Sequence, residues 1–496
     1  MPAEHLLALD AGTSGARCLI VRAGAGVVAS ARREWSYDMP AELGPFARAI
    51  DTERFWAILC EASRSALADA GLSGTDIAAV AVTSQRLAVV IIDREGRALY
   101  AGPNIDVRAL GEGLAIDARM ADRVYASSGK LPSLLLAPAR VQWLRNQRAD
   151  DFARAAAVLT LGDWMAHRLT GELRAERSLN ADCGLLNVTT RERDDGLLAE
   201  LDVPSQLLPP LVSPGDVIGE VTDAAAAATG LARGTPVVSA GSDTQCALYG
   251  MGVEEPGDVG IAAGWSCPLQ IVTAAPRFDA AKRTWVCLHV AASRWTVESS
   301  ATDAGRIWRW WCETLTGEGA NALDGGSALA TAAGPGAGGV SALLGPRRMN
   351  AAAMGPYLGG LVTITPVNTE GLGRGELLRA VLENIAYALR ANLEQAQEVS
   401  GLAATRIALG GGLTRAAVFP SIVASVLERP IDLAAEIDVT GWGAARLAAR
   451  AAGTPLPPVP AVRVEPDAAV AETYARLYQR WCRLGGALDG MREGLW

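Results

Sequence analysis

Short apolar runs that stop at glycine-rich turns are the feature that most constrains this chain. Residues 6–9 run into Asp10-Ala11-Gly12-Thr13-Ser14-Gly15, and residues 17–21 leave that turn as a second apolar run. Strand, tight turn, strand is a hairpin signature. It returns at residues 88–92, where Arg94-Glu95-Gly96 makes the turn, and at 259–263, which pass through Gly264-Trp265-Ser266 into 269–272. Residues 236–240 form a further strand that delivers Gly241-Ser242-Asp243, and residues 406–409 enter Gly410-Gly411-Gly412. Between these runs lie helix-like stretches, at 52–70 and at 375–397, where Leu378, Val381, Leu382, Ile385 and Leu389 follow helical spacing. Asp163 reads as the N-cap of a helix that Gly171 ends. Strands alternating with helices predict an α/β protein. The second half restarts near residue 236 with a similar hairpin, which predicts a weak internal duplication and two domains with a cleft between them. The proline-rich stretch 454–459 reads as a linker to a terminal helix at 469–484.

Residue counts remove several mechanisms. Among 496 residues only Lys130 and Lys282 are lysines, and the other 43 basic residues are Arg. A P-loop needs Gly-Lys followed by Ser or Thr. Gly129-Lys130 is followed by Leu131, and Ala281 precedes Lys282, so no P-loop exists. A lysine Schiff base has the same two candidates. The three histidines, His5, His167 and His289, never fall at metal-ligand spacing. The eight cysteines contain no C-x-x-C pair and read as small core residues of a reduced compartment. A net charge of −9 and the absence of a basic run argue against nucleic acid as a partner. The N-terminal apolar run is too short for a signal core. The charge-free stretch 259–276 contains Gly, Ser, Pro and Gln, which argues against a lipid span there. These features predict a cytoplasmic protein that does not enter a membrane.

The chemistry must then reside in aspartates, hydroxyls, Arg and backbone amides. Asp10 ends an apolar strand, and the turn after it offers N–H groups and two hydroxyls suited to a phosphate held without lysine. Asp243 also ends a strand and is flanked by small residues that let a ligand approach the backbone. Each Asp alone also fits a turn-capping role. The set of four glycine turns across both halves is the stronger signal.

That set resembles the FGGY carbohydrate kinases of the actin, hexokinase and heat-shock ATPase superfamily, over nearly the whole chain. The family's first phosphate motif, D-x-G-T-[ST]-x-x-R, is matched by Asp10, Gly12, Thr13, Ser14 and Arg17. Residues 83–90 resemble the sugar-binding turn, and Asn104-Ile105-Asp106-Val107-Arg108-Ala109 resembles a segment that usually reads W-x-D-x-R. Gly241-Ser242-Asp243-Thr244-Gln245 resembles the catalytic block, and Ala304-Gly305 a nucleotide-side helix. Residues 379–386 and 409–419 resemble the adenosine region, and Gly441-Trp442-Gly443 the closing helix.

The resemblance implies two actin-like (ribonuclease H-like) domains, at 1–247 and 248–453, with a helical extension at 454–496. It implies transfer of the γ-phosphate of ATP to a sugar or polyol hydroxyl, and a homodimer as a common assembly. Asp243 would be the base, with Mg²⁺ held by Asp10 and Asp243. Gln85, Arg86, Asn104, Asp106, Asp243 and Gln245 would meet the carbohydrate. Asp10, Gly12, Thr13, Ser14, Arg17, Gly264, Ser266, Gly305, Gly411 and Gly412 would meet the nucleotide.

Two departures stand out. Where glycerol kinases have Glu, Trp and Tyr in the pocket, this chain has Leu87, Asn104 and Leu135, which argues against glycerol. The Asn-x-Asp-x-Arg-Ala run, the Asp-x-Gln at 243–245 and the Gly-Leu-Trp end look more like the autoinducer-2 kinase-like branch, although Leu87 departs from that branch too. A pentulose or other polyol is the rival substrate. On the nucleotide side, a G-T-[ST] turn reads Gly264-Trp265-Ser266. Either Ser266 takes over the hydroxyl's role, or the indole reshapes the pocket, or nucleotide binding is weakened. The last case would make the chain a catalytically weak, sugar-binding sensor or regulatory protein.

Overall fold

The computed structural model describes residues 4–319, 321–363 and 371–491. The Gly-Leu-Trp end lies outside them. The chain divides into two compact units, one of residues 1–254, 274–296 and 438–459, the other of residues 255–273, 297–437 and 460–496.

The first unit is built on a six-stranded sheet. Its strands are β1 (His5–Ala11), β2 (Gly15–Arg22), β3 (Gly26–Glu34), β4 (Ile77–Ser84), β5 (Val217–Glu220) and β6 (Pro236–Ser242), in the order β5-β6-β4-β1-β2-β3. β1 pairs antiparallel with β2 and parallel with β4, and β4 is parallel to β6. Apart from His5, every residue of β1 is buried, as befits a central strand covered on both faces. Helix α1 (Thr52–Ala70) packs on β2 and β3. Asp51 caps its start by accepting from the amides of Glu53 and Arg54, and Gly71 ends it in the left-handed region. Leu7, Leu9, Phe55, Leu59, Val80, Val82 and Trp164 share one core.

Pairing corrects two expectations. The strand beginning at residue 236 does not open a second half: Val237 and Val238 lie in register with Val80 and Ala81, making β6 part of the first sheet. Asp163 is not an N-cap either. Thr160, the last residue of strand Ala155–Thr160, holds that place because its backbone is still extended, and Asp163 completes a capping box with it. The hairpin turned by Arg94-Glu95-Gly96 forms as read, Val89–Asp93 pairing antiparallel with Ala98–Gly102.

The second unit repeats the plan. Strands β7 (Asp258–Ala262), β8 (Pro268–Thr273), β9 (Trp295–Ser300), β10 (Arg406–Gly410), β11 (Ile431–Ala434) and β12 (Ala461–Val464) lie in the order β9-β8-β7-β10-β11-β12. β7 is antiparallel to β8 and parallel to β10, and β10 is parallel to β11. The duplication therefore starts at β7. The periodic helix spans Arg374–Ser400, and its apolar face buries Leu378, Val381, Leu382, Ile385 and Leu389 in the unit's core. Its buried Arg379–Glu383 pair, 3.0 Å apart, is shared with the Tyr474 hydroxyl on the terminal helix Ala471–Gly490.

Residues 454–459 belong to the first unit and are pinned there. The Trp442 indole N–H donates to Pro457 O at 3.0 Å, and the Val459 amide to Gly250 O at 2.9 Å. Seven cysteines are buried and Cys482 is exposed, all as free thiols. Among the described residues no helix is long and apolar enough to cross a membrane.

Candidate active site

Register in the first sheet brings two strand-end aspartates together. Asp10 is second to last in β1, and Asp243 follows β6 as the first residue of helix α2 (Asp243–Gly250). Each end is set by close packing. Gly241 has φ +101°, and a Cβ there would stand 2.6 Å from Ser178 Oγ, so only glycine fits. The Thr83 hydroxyl donates to Gly241 O at 2.8 Å, and the Ser242 amide donates to Ser178 Oγ at 3.1 Å. Ser178 in turn donates to the buried Glu176 carboxylate at 2.7 Å. The turn that carries Asp243 is thus braced from beneath.

Asp10 is buried, and its Oδ1 has no hydrogen-bond partner. Its other oxygen faces Arg17 at 3.7 Å, while Arg17 also faces Asp438 at 3.8 Å. Burial raises the Asp10 carboxyl well above the usual range, Arg17 opposes this, and Asp438 and Asp243 add to it. Asp243 is half-buried. Desolvation pushes its carboxyl up to about 6, against the pull of Arg86 and hydrogen bonds from the Thr244 amide and hydroxyl at 2.7 and 3.2 Å. Asp10, Asp243, Asp438 and Arg17 therefore act on one another, with Arg86 acting on Asp243. Asp438 is the member that sequence reading missed. Its signal was local: it is the N-cap of helix Val439–Ala451, accepting from the Gly441 amide three residues on.

The turn after Asp10 is tied to the sugar-turn segments. Thr13 Oγ1 accepts from Asn104 Nδ2 at 2.9 Å. Gln85, buried, donates through Nε2 to Gly12 O at 3.3 Å and to the Tyr37 hydroxyl at 2.9 Å, and accepts from the Asn104 amide at 3.2 Å. Tyr37 donates to Thr13 O at 2.6 Å and is a second residue absent from the sequence reading. Asn104 Oδ1 is buried without a partner. Arg86 lies over the Trp285 ring at 5.4 Å. Asp106 is fully engaged inside the protein, by Arg108 at 2.8 Å, the Tyr100 hydroxyl and the Arg48 amide. Gln245 is buried in α2, and the Ser14 hydroxyl faces Arg32 at 3.4 Å.

In the second unit the glycine turns meet one another. Gly305 opens helix α3 (Ala304–Thr316), and a Cβ on it would stand 2.1 Å from Gly264 O. The amides of Gly305 and Arg306 donate to Trp265 O at 3.0 and 3.2 Å, so the turn caps the helix through its backbone. Gly411 has φ +112° and would press a Cβ to 2.7 Å from Ala263 O, whereas Gly412 faces open space. The Trp265 indole is exposed and, with Arg306, Ile307, Arg309, Trp310 and Glu313, lines a shallow hollow. Ser266 completes the turn by accepting the Gly264 amide on its carbonyl at 3.0 Å.

Known proteins place this arrangement. The N-terminal domain of the FGGY family of carbohydrate kinases matches residues 5–250, and its C-terminal domain matches residues 261–452. An autoinducer-2 kinase of Klebsiella pneumoniae is 29% identical over 462 residues, 91% of this chain and 86% of that protein. One of Escherichia coli is 28% identical over 461 residues, 90% and 86% of the two chains. The crystal structure of a xylulose kinase from Rhodospirillum rubrum superposes with a TM-score of 0.82 at 26% identity, covering 98% of this chain and 99% of that one. A glycerol kinase structure from Plasmodium falciparum shares the fold, with a TM-score of 0.82 at 16% identity over 97% and 98% of the chains. With both family domains spanning most of its length, this chain belongs to the FGGY family of carbohydrate kinases.

Proposed function

We propose that the protein transfers the γ-phosphate of ATP to a hydroxyl of a small carbohydrate, with Asp243 as the base. The observation that carries this reading is the half-buried Asp243 at a strand end, its carboxyl held near 6 beside Arg86. Such a carboxylate is ionised at neutral pH, yet basic enough to take a proton as the hydroxyl attacks. Phosphoryl transfer has a loose transition state, so orienting the hydroxyl and balancing charge matter more than base strength. Gln85, Arg86, Asn104 and Gln245 would orient the acceptor, and Asp106 would act by holding Arg108 and the turn around Asn104.

Asp10 suits Mg²⁺. Its buried Oδ1 lacks a donor, and hard cations take carboxylate oxygens of this kind. Among the described residues no three His, Cys, Asp or Glu converge as a metal cage, which matches an ion that keeps most of its waters and binds through one or two carboxylates, here Asp10 and Asp243. When bound, Mg²⁺ would offset charge on the phosphoryl oxygens. Gly12, Thr13, Ser14 and Arg17 in the first unit, and Gly264, Ser266, Gly305, Gly411 and Gly412 in the second, are assigned to the nucleotide.

The acceptor we favour is an autoinducer-like polyhydroxylated carbohydrate, as in the names of the Klebsiella and Escherichia relatives, with a pentulose next. We place the protein in the cytoplasm and read it as a homodimer, which sedimentation analysis would check. A phosphorylation screen of autoinducer precursors, pentuloses and polyols with Mg-ATP tests the activity. Turnover of one compound, abolished in Asp243→Asn, is the expected result. Sugar binding without any Mg-ATP binding by calorimetry would leave the sensor reading instead.

A further inference from the structure

Arg140, on helix Ala137–Gln147, is completely buried and forms no ion pair among the described residues. Burying a charge without a counter-ion is costly, so a fold keeps such a group only where other dipoles surround it. Here those dipoles are four backbone carbonyls. One terminal nitrogen donates to Leu87 O at 2.5 Å and Gly102 O at 3.3 Å, and the other to Pro103 O at 3.1 Å and Asp106 O at 3.2 Å. Leu87 follows Gln85 and Arg86, while the other three carbonyls flank Asn104. Every acceptor thus lies in, or within two residues of, one of the two segments assigned to the carbohydrate. Leu87 also has φ +62°, a left-handed conformation that a leucine rarely adopts, and its carbonyl is held by Arg140. The two segments are also tied by the contact of the Asn104 amide with Gln85 Oε1 and by the pairing of Val89 with Gly102 in the hairpin described above.

We propose that Arg140 is a positioning residue for the acceptor: its planar fork fixes the two turns at the spacing at which Gln85, Arg86 and Asn104 meet the carbohydrate. It acts through backbone and does not touch the substrate. The proposal rests on the sugar assignment given above. The rigid, two-pronged guanidinium is essential to it, because an ammonium is a single point charge and reaches fewer acceptors.

Full-length Arg140→Lys and Arg140→Met test this in three readouts: thermal melting, hydrogen exchange of the amides at 85–88 and 102–106, and kinetics with D-xylulose and ATP. In Arg140→Lys, which keeps the charge, exchange at both turns should rise about tenfold while strand β10 in the second unit keeps its own. The KM for D-xylulose should rise about tenfold, with kcat within about threefold and the KM for ATP unchanged. Arg140→Met should move further in the same direction. Unchanged exchange and acceptor KM in Arg140→Lys would overturn the proposal. So would acceptor and ATP KM rising together, which marks general damage. If the parent protein does not turn over D-xylulose, only the pentulose assignment fails, and the exchange measurement still decides the tether.

Discussion

Six strands of each sheet lie in one shared order, with an antiparallel hairpin in each, yet the turns are built differently. Asp10 near the end of β1 carries a buried carboxylate oxygen without a hydrogen-bond partner, and the turn at residues 12–15 that follows carries two hydroxyls and is tied to Gln85 and Asn104 by side-chain hydrogen bonds. A Cβ on Gly12 would meet nothing closer than 3.5 Å. After β7, the turn at 264–266 carries no acid, exposes an indole, and is fixed by backbone contact with the start of α3. One copy of the plan concentrates charge; the other concentrates close-packed glycine. A duplicated fold can thus supply two kinds of site, because the fold sets where the turn stands and only a few side chains set what it does.

The largest expected effect breaks the comparison at its charged end. Asp243→Asn should lower kcat by about 10²–10⁴-fold in a coupled kinase assay, since the amide takes no proton. In the parent, kcat/KM should fall as pH drops below about 6, where Asp243 protonates. Stability has the opposite sign. The folded-state value of about 6 lies above the ordinary 3.8, so the stability that Asp243 contributes below 3.8 is lost as pH rises through about 6. Asp243→Asn should therefore melt higher than the parent near neutral pH, with the advantage shrinking toward about pH 4.

Next comes the packed end. Gly305→Ala sets a Cβ 2.1 Å from Gly264 O, between two backbones that cannot yield, and should cost about 1–3 kcal/mol in denaturant unfolding. Gly12→Ala sharpens the contrast: with ordinary contacts only, it should change stability by no more than about 0.5 kcal/mol. Equal losses for both glycines would erase the distinction between the turns. The smallest effect is expected of Trp265→Thr. Its backbone carbonyl, not its indole, caps α3, so melting should hold while the KM for ATP falls about threefold as the hollow opens.

Local pattern made much of this molecule legible. The helix Thr52–Ala70 has the bounds that its cap, its periodicity and Gly71 indicate, and the strand-end aspartates stand where the apolar runs stop. Register was not legible. Nothing local says that β6 lies beside β4, so residue 236 reads as a second beginning, whereas the duplication starts at β7. The same blindness hid Asp438, which reaches Arg17 across 421 residues of chain only because helix Val439–Ala451 packs on β1 and β4. Asp106 carried a sequence signal for a ligand contact, yet its oxygens are taken by Arg108, Tyr100 and Arg48.

By itself, the sequence determined which groups are available: two lysines, neither of them in a P-loop, two aspartates at strand ends, and glycine turns in place of a lysine-based phosphate cradle. Composition and spacing fix chemistry of that kind because they act within a few residues. Which of those groups is free to act was decided by tertiary structure alone. It left Asp10 Oδ1 without a donor, gave Asp106 three partners, and enclosed Arg140 among four carbonyls. Burial and hydrogen-bond partners come from segments distant in the chain, so a residue's neighbours, and with them its proton affinity and its freedom to bind, exist only once the fold is complete.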